Sequence, residues 1–219
     1  MTNNNKADLG NTDRNSITLG VLSAVEEDDR ATQRAISRDL GIALGLTNAY
    51  LKRCIRKGFI KVRQIPTNRY AYYLTPTGFA EKSRLTGEYL TTSFNFFRTS
   101  REQCSALFDI CHKNRWNRIA LAGFGDLAEI ATLCIGDDRN IEILGIIKTS
   151  DDQNTPEKLA GLPIVNNMTD LAKVHAVIVT DIENGQKVFD AFSKEIPPER
   201  VLTPPLLKVS RALPRMLND

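Results

Sequence analysis

The sequence predicts an α/β protein overall: an N-terminal winged helix-turn-helix of α+β type, a helical linker, and a C-terminal doubly wound parallel sheet. Three observations predict it. Between Thr32 and Leu74 two short helical patterns, parted by a glycine turn, run into two β-rich segments. From Pro76 apolar residues recur at three- and four-residue steps over roughly forty residues. From Arg118 onward short apolar runs alternate with helical patterns, as strands and crossover helices of a parallel sheet do.

The front unit spans residues 16–75. Residues 1–15, MTNNNKADLGNTDRN, are polar and lack an apolar run, so they predict a disordered tail and no signal peptide. Ser16 caps a helix whose apolar residues include Ile17, Val21, Leu22 and Val25, and Glu26–Asp29 is a solvated acidic loop. Thr32 caps a second helix through Ala35, Ile36 and Leu40, and Gly41 to Gly45 form the turn. A third helix, Leu46–Lys57, turns Thr47, Tyr50, Leu51, Cys54 and Ile55 inward and Asn48, Ala49, Lys52 and Arg56 outward, and Gly58 ends it. The segments Phe59–Gln64 and Tyr70–Leu74, joined through Pro66, Thr67 and Asn68, form the hairpin.

Charge indicates what this unit touches. From Arg30 to Leu85 there are eight Arg and four Lys against Asp39 and Glu81, a net of +10. From Arg118 to the end 11 basic residues face 15 acidic ones, a net of −4, so the overall +3 conceals a basic front half. Such asymmetry predicts a polyanion partner, double-stranded DNA for a helix-turn-helix. Asn48 and Lys52 carry groups that pair with adenine and guanine edges. Arg53, Arg56, Lys61 and Arg63 suit phosphates, and Arg69 beside Asn68 at the wing tip suits a minor groove. With Thr47 near the head of the same helix, these form the candidate DNA-contact set.

The stretch LKRCIRKGFIKVRQIPTNRYAYYLTPTGFAEK resembles the recognition helix, wing and following helix of MarR-type winged-helix transcriptional regulators, especially those found with exopolysaccharide and lipopolysaccharide genes. Lys57-Gly58-Phe59-Ile60 and Leu74-Thr75-Pro76-Thr77-Gly78 carry the likeness, which covers roughly residues 16 to 90. It implies duplex DNA binding and a homodimer.

Residues 76–115 form the helical linker, with Phe79, Leu85, Leu90, Phe94, Phe97, Cys104, Leu107, Phe108 and Cys111 as its apolar positions. Its length exceeds that of a typical globular helix, so a break is expected near Arg98–Arg101. Two burials are open to it, against a partner protomer as a dimerisation segment or against the following domain.

Residues 116–205 form the second domain. The strand Arg118–Ala122 runs into Gly123-Phe124-Gly125-Asp126-Leu127-Ala128, a G-x-G-x-x-A turn at a strand-to-helix junction, where glycines let a diphosphate approach the helix amides. Further strands are expected at Ile141–Lys148, Leu162–Val165, Ala176–Thr180 and Val201–Thr203, with helices at Asn167–Ala172 and Glu183–Ile196. The glycine turn, AGLPIV at 160–165 and PPERV at 197–201 resemble small Rossmann-like NAD- or CoA-binding domains of polysaccharide-biosynthesis proteins and Rex-type repressors. That likeness implies a nucleotide-type ligand, a dinucleotide, CoA or a nucleotide sugar, held by Gly123, Phe124, Gly125, Asp126, Leu127, Lys148 and Asp181. The chain departs from the NAD pattern where an acid should end the second strand: it reads Ile147-Lys148-Thr149-Ser150, and Lys148 suits a phosphorylated ribose instead. Residues 206–219 are a C-terminal tail.

Other classes find less support. Cys54, Cys104, Cys111 and Cys134 show no CxxC spacing and fall at apolar positions, as reduced thiols of a cytoplasmic protein do. His112 and His175 have no clustered ligands for a metal, and His175 reads as a structural histidine. No apolar run reaches the length of a membrane span. No nucleophile–base constellation is visible, so the chain is expected not to be an enzyme. Two functions stand: a DNA-binding transcriptional regulator whose second domain senses a nucleotide-type metabolite, and a polysaccharide-biosynthesis enzyme or accessory protein using its winged helix for protein contacts.

Overall fold

The computed structural model describes residues 4–65, 69–135, 140–150 and 155–211, with the backbone alone at 4–13, 65 and 69. The chain forms two compact units, 1–94 and 95–219, whose boundary falls inside the expected linker.

The first unit opens with α1 (Asn4–Glu27), so helix begins at Asn4 and not at Ser16. Once a helix is nucleated around the buried Val21, Leu22 and Val25, each further turn adds hydrogen bonds at little entropic cost, and the polar residues before it extend it. Thr32 caps α2 (Gln33–Asp39) as expected, its hydroxyl accepting from Ala35 N at 3.1 Å. Gly41 takes φ +62°, and α3 (Leu44–Arg56) follows with no side-chain cap at Ala43. Strands β1 (Ile60–Ile65) and β2 (Arg69–Leu74) pair antiparallel from Ile60 opposite Leu74 to Ile65 opposite Arg69. The core joins Val21, Leu22 and Val25 to Ile36, Leu51, Cys54, Ile60, Tyr72 and Leu85.

The two halves of the motif around Gly58 and Gly78 meet in space. The Thr75 hydroxyl donates to Gly58 O at 2.6 Å and accepts from Gly78 N at 3.0 Å, while Thr77 donates to the same Gly58 carbonyl. A β-carbon on Gly78 would stand 2.1 Å from Phe59 O, so the start of α4 (Pro76–Lys113) lies against the entry to β1 only because position 78 has no side chain. Helix α4 is a single helix of 38 residues, without the break expected near Arg98–Arg101. Length alone suggested the break; no Gly or Pro lies between Gly87 and Lys113 to cause one. Thr86, Thr91 and Thr92 return their hydroxyls to carbonyls four residues back.

In the second unit Cys104, Leu107, Phe108 and Cys111 of α4 pack with α5 (Asp126–Thr132) on one face of a six-stranded sheet, against Ile119, Leu121, Ile143, Ile146 and Ile178. This part of the linker is therefore buried against its own chain. On the other face α6 (Gly185–Phe192) sets Val188, Phe189 and Phe192 against Ala120, Ala122, Ile147, Val177 and Val179. Alternation along β3 (Arg118–Ala122) and β4 (Glu142–Ile147) supplies both faces from one run. The remaining strands are β5 (Lys158–Leu159), β6 (Leu162–Val165), β7 (Ala176–Val179) and β8 (Val201–Leu202), in the order β5-β6-β4-β3-β7-β8. All pairings are parallel except β5 with β6, which adds an unexpected edge hairpin turning at Ala160 and Gly161, both at positive φ. Reversal of strand order at β3 and β7 is the doubly wound, Rossmann-like pattern. Where a helix was expected at Asn167–Ala172 there is one 3-10 turn, Met168–Asp170.

The expected tail is in part structural. Leu207 and Val209 pack on the α6 side, and Gln186 exchanges hydrogen bonds with the backbone of Ser210 in both directions. Residues 212–219 lie outside the described part.

All four cysteines are free and buried. Burial pushes the Cys54 thiol up to about 11 and that of Cys111 up to about 12, and the neighbouring Cys134 thiol together with burial raises Cys104. Among the described residues no helix is long and apolar enough to cross a membrane, and no group of three His, Cys, Asp or Glu is placed to hold a metal.

Candidate functional site

Helix α3 buries Thr47, Leu51 and Cys54, and the helical period then turns Lys52 and Arg56 to the opposite side, with Asn48 on the flank. These three follow each other at four-residue steps, roughly 6 Å apart along the axis, a spacing suited to successive groups in a groove. Lys52 and Arg56 are exposed. Asn48 is partly buried, with its Oδ1 shielded and without a hydrogen-bond partner. Bidentate pairing with adenine therefore needs that amide turned outward. Thr47 is withdrawn from the contact set: it has no exposed surface, and its hydroxyl donates to Ala43 O. Its place on the inner face, already implied by spacing, prevails.

Arg53 stands elsewhere. With Lys57 it lines a cavity of about 60 Å³ bordered by Arg14, Thr18, Cys54 and Glu81. Glu81, one of two acids in the basic stretch, receives two guanidinium bonds from Arg84, at 2.8 and 2.9 Å, which hold its carboxyl below the ordinary range. Its charge is thereby matched locally rather than set against a polyanion. On the hairpin Lys61 and Arg63 are exposed and, two residues apart, point to one side. Asn68 lies outside the described residues, and Arg69 is placed only by its backbone at the head of β2.

Residues 14–61, from within α1 to the start of β1, match the family described as winged helix-turn-helix DNA-binding. The N-terminal unit has the winged helix-turn-helix fold. Among solved structures, the crystal structure of MepR, a transcription regulator of the Staphylococcus aureus multidrug efflux pump MepA, matches at 23% identity over 38% of this chain, with a TM-score of 0.33. The match spans 61% of the MepR chain. No curated protein matches the chain.

Apart from the winged-helix domain, the second unit gathers Gly123, Phe124, Gly125, Asp126, Leu127, Lys148 and Asp181 at the carboxyl edge of its sheet, as the strand ends predict. Their environments differ from a phosphate cradle. A β-carbon on Gly123 would lie 2.5 Å from Asp181 N, so this glycine admits the loop after β7 and not a ligand. Asp181 Oδ1 accepts from Glu183 N and Asn184 N, and Oδ2 accepts from the Thr149 hydroxyl at 2.7 Å. The Thr149–Asp181 bond joins the ends of β4 and β7 across the end of β3, which lies between them. Leu127 has no exposed surface, backbone included, to offer a ligand. Gly125, at φ +131°, faces open space, and the first turn of α5 carries the acids Asp126 and Glu129. The glycines were legible in sequence; the loop that fills the crevice between β3 and β7 was not, because it is contributed by residues nearly sixty positions downstream.

His175 stays structural: its amide donates to Arg118 O at 2.8 Å, and burial, then Lys173, Arg118 and Arg200, depress its pKa.

Proposed function

We propose that the protein is a DNA-binding transcriptional regulator that acts by binding and not by catalysis. The observation that carries this reading is the exposed pair Lys52 and Arg56 on the outward side of α3, flanked by Asn48, with Lys61 and Arg63 exposed on the hairpin, in a stretch of net charge +10. The likeness of 57–60 and 74–78 to MarR-type regulators found with polysaccharide genes supports targets among such genes. The second unit senses a nucleotide-type metabolite, and linkage then requires that DNA and ligand shift each other's affinity equally.

The regulator works as a homodimer, as operators with paired half-sites require. On α4 the aromatic and aliphatic side chains of Phe79, Leu90 and Phe94 leave 47%, 45% and 56% of their surface exposed, and at 100° per residue they fall within one narrow arc of the helix. Replacing Leu90 and Phe94 together by Glu is expected to convert a dimer to monomers in sedimentation velocity; an unaltered sedimentation coefficient would place the dimer contact elsewhere.

Fluorescence anisotropy with duplex DNA over a series of salt concentrations tests the main reading. Affinity is expected to fall steeply with salt. Arg69→Ala should weaken all sequences alike and reduce the slope of log K against log salt by about one unit. A slope equal to the parent's would remove Arg69 from the interface, and salt-independent binding would remove the reading itself.

A further inference from the structure

We infer that the cleft between the carboxyl ends of β4 and β6 and helix α6, and not the glycine turn, is the ligand site of the second unit, and that it takes a nucleoside diphosphate. The inference rests on the sensing role proposed above and names its place and chemistry.

The two candidate places lie on opposite sides of the same sheet. On the α5 side the glycine turn is occupied from within, by the approach of Asp181 to Gly123 and by the Thr180 hydroxyl bonded to Gly123 O at 2.5 Å. What remains open at Gly125 leads to Asp126 and Glu129, whose charges oppose a phosphate. Helix α5, with seven residues, offers little compensating dipole.

The α6 side is different in every respect. There a cleft of about 660 Å³ opens, within the roughly 300–1,000 Å³ of small-molecule sites. Lys148 lines it from the end of β4 and Lys187 from α6, with Glu195 as the acid among the described lining residues. Two lysines lining one cleft from separate elements suit a diphosphate, whose charge each can meet as a point cation. Ile147, Val188 and Phe192 of the α6-side core line it as apolar contacts for a flat ring. Asn166, Thr169 and Asn184 at the rim supply the donors and acceptors that base and ribose need. Lysine at position 148, anomalous for a dinucleotide turn, is thereby explained as a residue of this cleft.

Isothermal titration calorimetry on the full chain with ADP, UDP and inorganic phosphate tests the assignment. At least one nucleotide should bind with a dissociation constant in the micromolar range, and phosphate alone should bind at least about tenfold more weakly. Lys187→Glu, an exposed change, should weaken the nucleotide by about tenfold or more without altering the melting temperature. Asp126→Lys should leave it unchanged, whereas a ligand at the glycine turn would bind the Asp126→Lys protein more tightly. Failure of both nucleotides to bind at about 1 mM, an unaffected Lys187→Glu protein, or tightening by Asp126→Lys each overturns the assignment. Nucleotide binding that leaves operator affinity unmoved would keep the cleft and remove the sensing role, while DNA binding without nucleotide binding would remove the cleft and leave the DNA-binding reading standing.

Discussion

Gly78→Ala is expected to destabilise the N-terminal unit by about 3 kcal/mol, because one methyl group would be placed 2.1 Å from the Phe59 carbonyl oxygen. The obstacle is backbone, so no side-chain rotation relieves it. Either the first turn of α4 or the entry to β1 must move, and the Thr75 and Thr77 bonds to Gly58 O are stretched with it. The same substitution at Gly87, farther along the same helix, meets nothing within 4 Å and should stabilise by about 0.5–1 kcal/mol through helix propensity. Opposite signs for two Gly→Ala changes in one helix would isolate the close approach from propensity. Urea unfolding followed by circular dichroism measures both, and a Gly78→Ala change smaller than about 1 kcal/mol would mean that the two segments separate easily.

Loss of sequence reading is the second large effect. Lys52→Ala and Asn48→Ala should each cost about 1–3 kcal/mol of specific binding while non-specific binding changes less, because base-edge contacts carry the discrimination. Thr47→Val, isosteric and fully buried, should leave DNA affinity near the parent's even if stability changes. Anisotropy with operator and random duplex separates the cases. If the Lys52 and Asn48 variants bind operator like the parent, α3 does not read bases.

Much of the architecture was legible in local pattern. Thr32 as a cap, the glycine at 41, the three-four spacing of Leu51 and Cys54 and the alternation in β3 and β4 are short-range signals, set by propensity, by turn stereochemistry and by burial of one face. The start of α1 and the unbroken α4 were misjudged for a related reason. Composition and typical length are averages, whereas a particular helix continues until a breaker or a better competing contact stops it.

The DNA-contact residues were largely a matter of helical phase, and phase is a sequence property. Arg53 needed neighbours to place it, since spacing alone cannot say what lies beside α3. The glycine turn is the clearest division between the two kinds of information. By itself the sequence determined a basic helix–turn–helix with a hairpin, and a strand–glycine–helix junction opening an α/β sheet. Only tertiary structure decided what fills that junction and which side of the sheet is open. Thr180 and Asp181 reach Gly123 from the loop after β7, and contacts between distant segments leave no local periodicity to read.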